Sequence, residues 1–343
     1  MDRPFRVGVA GLIHDHVWGM LRWWRELDGA ELVAVADPNP PLLEKVRAEA
    51  GVTRTYGSYT QMFDAEKLDI VTVALDNRGT VEVVEAAAAH GVHVLSEKPM
   101  ASTLAGADAM LAACRKARVE LMINWPTAWS PAIQTLDRLV REGAIGKVHK
   151  VRYLAAHAGP KEIGCSTYFY EWLYDAERNG AGALMDYCCY GANMAAHWLG
   201  RPTAVVGIAG TLVKAPFPVD DNAILLMKYP HAFGVAEASW TQQAADGSAN
   251  PSLYGETGTL SVVGNRIRIG RPGRDPEFLD PDRPSPGRRN GAEYLVSCLR
   301  SGTPVEGLCS AATSRTAQEI LQRGLESAQQ GREIALLESE QPS

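Results

Sequence analysis

Residues 5–16 read Phe5-Arg-Val-Gly-Val-Ala-Gly-Leu-Ile-His-Asp-His16. A short apolar run ends at Gly11 and passes into a helical pattern over 17–27, with Trp18, Leu21 and Trp24 apolar at helical spacing. The unit recurs downstream. Apolar runs at 31–36, 69–74, 92–95 and 121–124 alternate with helical stretches at 42–50, 80–90 and 103–117, and Gly51 and Gly91 close two of the helices. Strands that are apolar on both faces and alternate with helices predict a parallel sheet covered on both sides, an α/β domain over residues 1–124.

The pattern changes at Trp125. A helix is expected at 131–142, a strand at 148–156 and a helix at 184–199. Runs at 204–213, 223–229, 233–241, 254–263 and 266–269 alternate in polarity and carry β-branched residues, as half-exposed antiparallel strands do. Residues 271–289 are rich in Pro, Gly and charge and read as a long loop. Its Arg271, Arg274, Arg283, Arg288 and Arg289 form either a solvated run or a reach toward the site or a neighbouring subunit. Helices at 293–300 and 310–329 follow, and the last few residues are expected to fray. Residues 125–343 therefore read as an α+β domain with an open, mostly antiparallel sheet.

The chain has 343 residues, 46% hydrophobic and 22% charged, the composition of an ordinary globular protein large enough for two domains. A net charge of −6 leaves no basic surplus for a phosphate backbone, which argues against nucleic-acid binding. No run of about 18 uncharged apolar residues spans a membrane, and the opening residues do not form a signal peptide. The six cysteines, at 114, 165, 188, 189, 298 and 309, make no Cys-x-x-Cys and no zinc spacing. Reduced thiols in a cytoplasm are the expectation.

A parallel sheet of this kind binds ligands at the carboxyl ends of its strands. Of the dinucleotide fingerprint Gly-x-Gly-x-x-Gly only Gly11 stands in place, with Ile13 and His16 at the second and third glycine positions. A side chain at position 13 limits the approach of backbone to a pyrophosphate. Asp37 ends the second strand. There it either accepts both hydroxyls of an adenosine ribose, favouring NAD over NADP, or belongs to a plain Asp-Pro-Asn-Pro turn. His14-x-His16 invites a metal reading, but with no acidic or cysteine partner nearby in sequence the two read as loop residues near the phosphates, and no metal is expected.

Four further stretches, in order, resemble one family. Gly91-Val-His-Val-Leu-Ser-Glu-Lys-Pro-Met100 is similar to the Glu-Lys-Pro signature of the Gfo/Idh/MocA oxidoreductases, which include glucose–fructose oxidoreductase and inositol dehydrogenase. Gly143-Ala-Ile-Gly-Lys147 resembles the family's loop into the second domain, and Gly180-Ala-Gly-Ala-Leu-Met-Asp-Tyr-Cys-Cys-Tyr190 its Gly-Gly-x-Leu-x-Asp-x-x-x-[His/Tyr] helix start. Tyr254-Gly-Glu-Thr-Gly-Thr-Leu260 resembles its Gly-x-x-Gly-x-Leu strand. The resemblance covers nearly the whole chain. It implies a Rossmann dinucleotide domain, a second domain whose sheet makes a homo-oligomer (dimer or tetramer), NAD or NADP, and a sugar, cyclitol or related polyol as substrate. Lys98 corresponds to the catalytic lysine and Asp186 to its acidic partner. Tyr190 stands where many members have histidine, and Asn193 where many have a second aspartate. The family's Thr-Pro-Asn is here Leu75-Asp76-Asn77, and its arginine is missing from 125–129. The expected dinucleotide site is Gly11, Leu12, Ile13, His16, Asp37, Ala74, Leu75, Asn77, Glu97 and Lys98.

Oxidising a secondary alcohol needs a hydride acceptor, supplied by nicotinamide, and a base for the hydroxyl proton. A lysine drawn out of water beside oxidised nicotinamide loses basicity and suits that role. The expected assignment is Lys98 with Tyr190 for proton transfer and Asp186 for positioning. Each has a plainer alternative: a surface lysine, a core tyrosine, and a carboxylate favoured by the helix dipole. His157 and the aromatic stretch Tyr168, Phe169, Tyr170, Trp172 and Tyr174 suggest a sugar-stacking wall, with His157 and Trp172 lining the substrate pocket, or else core or subunit-interface aromatics. The same residues also fit a redox-neutral glycoside-cleaving enzyme with tightly held NAD, and the broken fingerprint fits a non-catalytic dinucleotide-binding regulator.

Overall fold

A computed structural model describes residues 3–244 and 247–336. The chain folds as two compact units. The first comprises Met1–Trp129, Gly164–Gly180 and Pro284–Ala312, and the second comprises Ser130–Ile163, Ala181–Arg283 and Thr313–Ser343. The single boundary expected after Asn124 thus becomes an interleaved division, with two later segments returning to the first unit.

In the first unit, β1 (Phe5–Ala10), β2 (Ala30–Ala36), β3 (Thr55–Tyr56), β4 (Ile70–Val73), β5 (His93–Glu97) and β6 (Leu121–Asn124) form a sheet in the order β3-β2-β1-β4-β5-β6. Every pairing is parallel. All residues of β4 and β6 are buried, which is why these strands read as unbroken apolar runs. The connecting helices are α1 (Val17–Glu26), α2 (Pro40–Ala50), α3 (Tyr59–Ala65), α4 (Gly79–Ala89) and α5 (Leu104–Ala117). Met20, Leu21 and Trp24 turn the apolar side of α1 inward, and Trp24 Nε1 donates to Thr72 Oγ1 of β4 at 2.8 Å.

The second unit holds β7 (Val148–Ala156), β8 (Ala204–Gly210), β9 (Asn222–Lys228), β10 (Phe233–Ser239), β11 (Ser252–Gly255), β12 (Gly258–Val263), β13 (Arg266–Gly270), β14 (Glu277–Leu279) and β15 (Ile334–Ala335). They form one sheet, β14-β13-β12-β11-β7-β10-β9-β8-β15, in which only β7 and β10 run parallel. The run expected at 254–263 is a hairpin, with Glu256 and Thr257 at the turn and Gly255 opposite Gly258. The loop expected at 271–289 contains β14. Its arginines are largely paired within their own units: Arg271 with Glu277 at 3.4 Å, Arg289 with Glu293 at 2.7 Å, and Arg288 over the Tyr294 ring. The fraying expected of the last few residues falls largely on 337–343, outside the described residues.

The helix Ala183–Leu199 packs on β10 and β7. Gly191 makes this possible, since a Cβ there would stand 2.5 Å from the Ala236 Cβ and 2.8 Å from its Cα. Gly191→Val therefore forces the helix off the sheet. Overpacking of this kind costs about 1–3 kcal/mol, and a lowered urea midpoint at unchanged m-value is the expected reading; an unchanged midpoint would show that the helix is not held there. The other face carries apolar side chains that are exposed among the described residues. Ile208, Ile224, Leu226 and Phe233 are 67%, 43%, 48% and 61% exposed, and the register sets Ile208 opposite Ile224.

Candidate active site

β1 lies between β2 and β4, so the chain leaves it where connections on the two sides diverge and open a crevice. Gly11 adopts φ 92°, and a Cβ there would stand 2.5 Å from the Leu75 side chain and 2.7 Å from the Ala74 carbonyl oxygen. The turns after β1 and β4 meet at this point. Asp37, buried after β2, joins the third turn to them. Its Oδ2 accepts the Leu12 N–H at 2.6 Å, and its Oδ1 accepts the backbone and side-chain N–H groups of Asn39 at 2.7 and 2.8 Å. Burial pushes the Asp37 carboxyl pKa up, against the pull of those hydrogen bonds.

The turn 14–16 differs from the sequence expectation in one respect. The sequence offers no acidic partner nearby, but the sheet brings Glu97, the last residue of β5, to both histidines. His16 Nδ1 lies 3.1 Å from Glu97 Oε2, and His14 Nε2 lies 4.0 Å from the same oxygen. Glu97 Oε1 accepts from Asn124 Nδ2 at 2.5 Å, and Asn124 Oδ1 accepts from Trp129 Nε1 at 2.8 Å. Burial alone would raise the Glu97 pKa, but the imidazoles and these hydrogen bonds outweigh it and hold the carboxyl at about 2. His14 is 1% exposed, and burial, reinforced by His16, drives its pKa well below the ordinary histidine value, so the ring is neutral.

The turn also engages its own amides. Besides Leu12, the His14 N–H donates to Ala74 O at 3.4 Å, that of Val17 to His14 O at 2.9 Å and that of Trp18 to Asp15 O at 3.4 Å. A glycine-rich turn offers such groups to a pyrophosphate. Here those amides are spent within the fold, with Ile13 buried and the His16 side chain 37% exposed.

The segment Gly164–Gly180 straps this crevice within the first unit. Sequence reading made it an aromatic loop. It contains two short helices, Thr167–Leu173 and Ala176–Asn179, started by the caps Ser166 and Asp175. The Asp15 carboxylate accepts from Ser166 N at 2.7 Å and Oγ at 2.6 Å. Phe169 and Trp172 lie 4.5 and 5.7 Å from the His14 ring, centroid to centroid. Arg178 pairs with Asp76 at 2.8 Å, and Asn77 Nδ2 donates to Asn179 Oδ1 at 2.8 Å. Asn77, expected at the cofactor, is thus engaged by the strap. Trp172, expected at the substrate, is 1% exposed and packs on His14, and its Nε1 has no hydrogen-bond partner among the described residues.

Lys98 follows Glu97 and is 2% exposed, so the surface-lysine alternative does not hold. Its amide donates to Glu97 Oε2 at 3.3 Å. Asp186 and Tyr190 belong to the second unit, one turn apart on the helix Ala183–Leu199, with Asp186 buried in its first turn. The Tyr190 ring lies 5.9 Å from Tyr153 and 6.1 Å from Tyr187, and the Tyr187 ring meets His157 edge-on at 4.7 Å. Sequence reading singled out neither Asn124 and Asp15 in the first unit nor Tyr187 in the second. Asn124 carried a signal, a polar residue closing a strand that is otherwise apolar.

The profile for an oxidoreductase family with an NAD-binding Rossmann fold matches residues 5–125, and that for the GFO/IDH/MocA C-terminal domain matches residues 133–261. A D-apiose dehydrogenase of Paraburkholderia graminis is 43% identical over 126 residues, 37% of this chain and 34% of that protein, so the chain spans about a third of that relative's length in the match. A myo-inositol 2-dehydrogenase of Thermotoga maritima is 25% identical over 77% of this chain and 74% of its own. A crystal structure of an aldose–aldose oxidoreductase from Caulobacter crescentus with glycerol superimposes with a TM-score of 0.81 at 26% identity, covering 97% of this chain and 100% of the other. No helix among the described residues is long and apolar enough to cross a membrane.

Proposed function

We infer, from a chain that belongs to the Gfo/Idh/MocA oxidoreductase family, that it moves a hydride between NAD and a ring hydroxyl of a sugar, glycoside or cyclitol. The observation that carries this is Glu97-Lys98-Pro99 at the carboxyl end of β5, with Lys98 buried beside an ionised Glu97 and three strand-end turns gathered on Asp37. The apiose, inositol and aldose enzymes named above support the substrate class. Bound NAD supplies the hydride acceptor. Asp37 holds the adenosine ribose and repels a 2′-phosphate. In the first unit Lys98 takes the proton of the hydroxyl being oxidised; in the second unit Tyr190 is the candidate for proton transfer and Asp186 for orienting hydroxyls. His157 borders them through Tyr187.

The test is to denature the purified protein, assay the supernatant for nucleotide, titrate the emptied protein with NAD and NADP, and then screen sugars, glycosides and cyclitols for NADH. Tight NAD binding and NADH formation are expected. Failure to bind either nucleotide would put a regulatory role in its place.

The exposed apolar face of β8, β9 and β10 supports a homo-oligomer, because a sheet face carrying Ile208, Ile224, Leu226 and Phe233 gains by being covered. Leu226→Glu is expected to lower the sedimenting mass to that of a monomer with the fold intact, and an unchanged mass would remove this face as the interface. The thiols of Cys114, Cys188, Cys298 and Cys309 are free, as a reducing cytoplasm would keep them.

A further inference from the structure

We propose that His14, His16 and Glu97 form a binding site for one divalent transition-metal ion of the zinc class. The site shares His16 and Glu97 with the expected dinucleotide site, and it is read by metal binding to the protein emptied of nucleotide, not by turnover. One ligand atom from each of the three residues comes within 4.8 Å of the others, and no other group of three or more such side chains meets this condition among the described residues. Two imidazole nitrogens and one carboxylate oxygen are a donor set that zinc takes, leaving a fourth position for water. Ligands about 2.0–2.1 Å from a tetrahedral ion are roughly 3.3 Å apart. The 3.1 Å from His16 Nδ1 to Glu97 Oε2 already matches, and the 4.0 Å from His14 Nε2 to that oxygen needs only a small adjustment.

A structural role alone accounts for the His16–Glu97 contact. It does not account for a second buried imidazole aimed at the same oxygen from beyond hydrogen-bonding distance. A cation between them would satisfy all three groups together. The surroundings are those of a metal centre as well. Asn124 holds the far oxygen of Glu97 and is itself held by Trp129, while Phe169 fixes the His14 ring from the strap. Two hydrogen bonds are given up: that of His16 Nδ1–H to Glu97 Oε2 at 3.1 Å, whose proton the ion replaces, and the long contact of the His16 N–H to His14 Nδ1 at 3.4 Å, so that the His14 ring can present a bare Nε2. The His16 side chain, 37% exposed, provides the route of entry.

The experiment strips the full-length protein with a chelator and titrates it with Zn²⁺ by calorimetry and with Co²⁺ by visible absorption. One equivalent is expected, with the intense d–d bands of low-coordinate cobalt. His16→Ala, at a partly exposed position, is expected to fold and to weaken both ions by at least about 10-fold. Glu97→Gln gives a second reading, a blue-shifted or abolished cobalt spectrum. Absence of saturable binding to the unmodified protein overturns the proposal, as does equal affinity in His16→Ala with an unchanged spectrum.

Discussion

Lys98→Ala is expected to reduce turnover by at least about 100-fold, the scale on which a positioned acid–base group contributes. The side chain is buried at the carboxyl end of an interior parallel strand, and burial disfavours the charged form of an ammonium. Its charge is felt locally, since it is among the influences that keep His14 neutral. A lysine that only packed would, once truncated, lower stability and leave the pH–rate profile alone. One that carries the proton removes the limb of that profile belonging to the free base, with kcat falling and KM holding. Lys98→Arg separates the two cases further, because guanidinium keeps the charge but does not deprotonate in this pH range. A Lys98→Ala protein with near-normal kcat would falsify the assignment.

Asp37→Ala is expected to weaken NAD by about 10–100-fold, the loss of charge-assisted hydrogen bonds worth roughly 1.5–3 kcal/mol, and to weaken NADP far less. The ratio of the two affinities is the informative quantity. Asp37 also accepts from Leu12 and from both nitrogens of Asn39, so its removal loosens the turns after β1 and β2 for any dinucleotide. Loosening alone lowers both affinities in parallel. Loss of a ribose acceptor that excludes a 2′-phosphate moves them apart. Parallel losses measured by fluorescence titration would reduce Asp37 to a structural clasp.

Much of the first sheet was legible because each strand is short, buried on both faces and followed by a helix, so periodicity and length agree. The hairpin at 252–263 was not: the apolar residues on both sides of Gly255-Glu256-Thr257-Gly258 run together, although paired glycines three apart are a turn signal. The helices Thr167–Leu173 and Ala176–Asn179 are too short for a periodic signal, and only their caps, Ser166 and Asp175, mark them. β15 is two residues long and exists through its partner β8, which no local reading can supply. The site shows the same limit. Lys98, Asp37 and Gly11 stand at strand ends, where topology predicts ligands. The meeting of His14 and His16 with Glu97 is a property of the sheet order, which sets β5 one strand beyond β1's neighbour β4. Sequence spacing carries no trace of it.

The interleaving of the two units bears on how the protein is made. The first unit is complete only with Pro284–Ala312, so a ribosome must translate past residue 312 before the Rossmann sheet has all the segments that belong to it. A nascent chain ending near Trp129 exposes the turn at 14–16 without the Phe169 and Trp172 that cover it. The nucleotide-binding unit therefore matures only after most of the second unit's chain has been made, although its strands are encoded upstream of that chain.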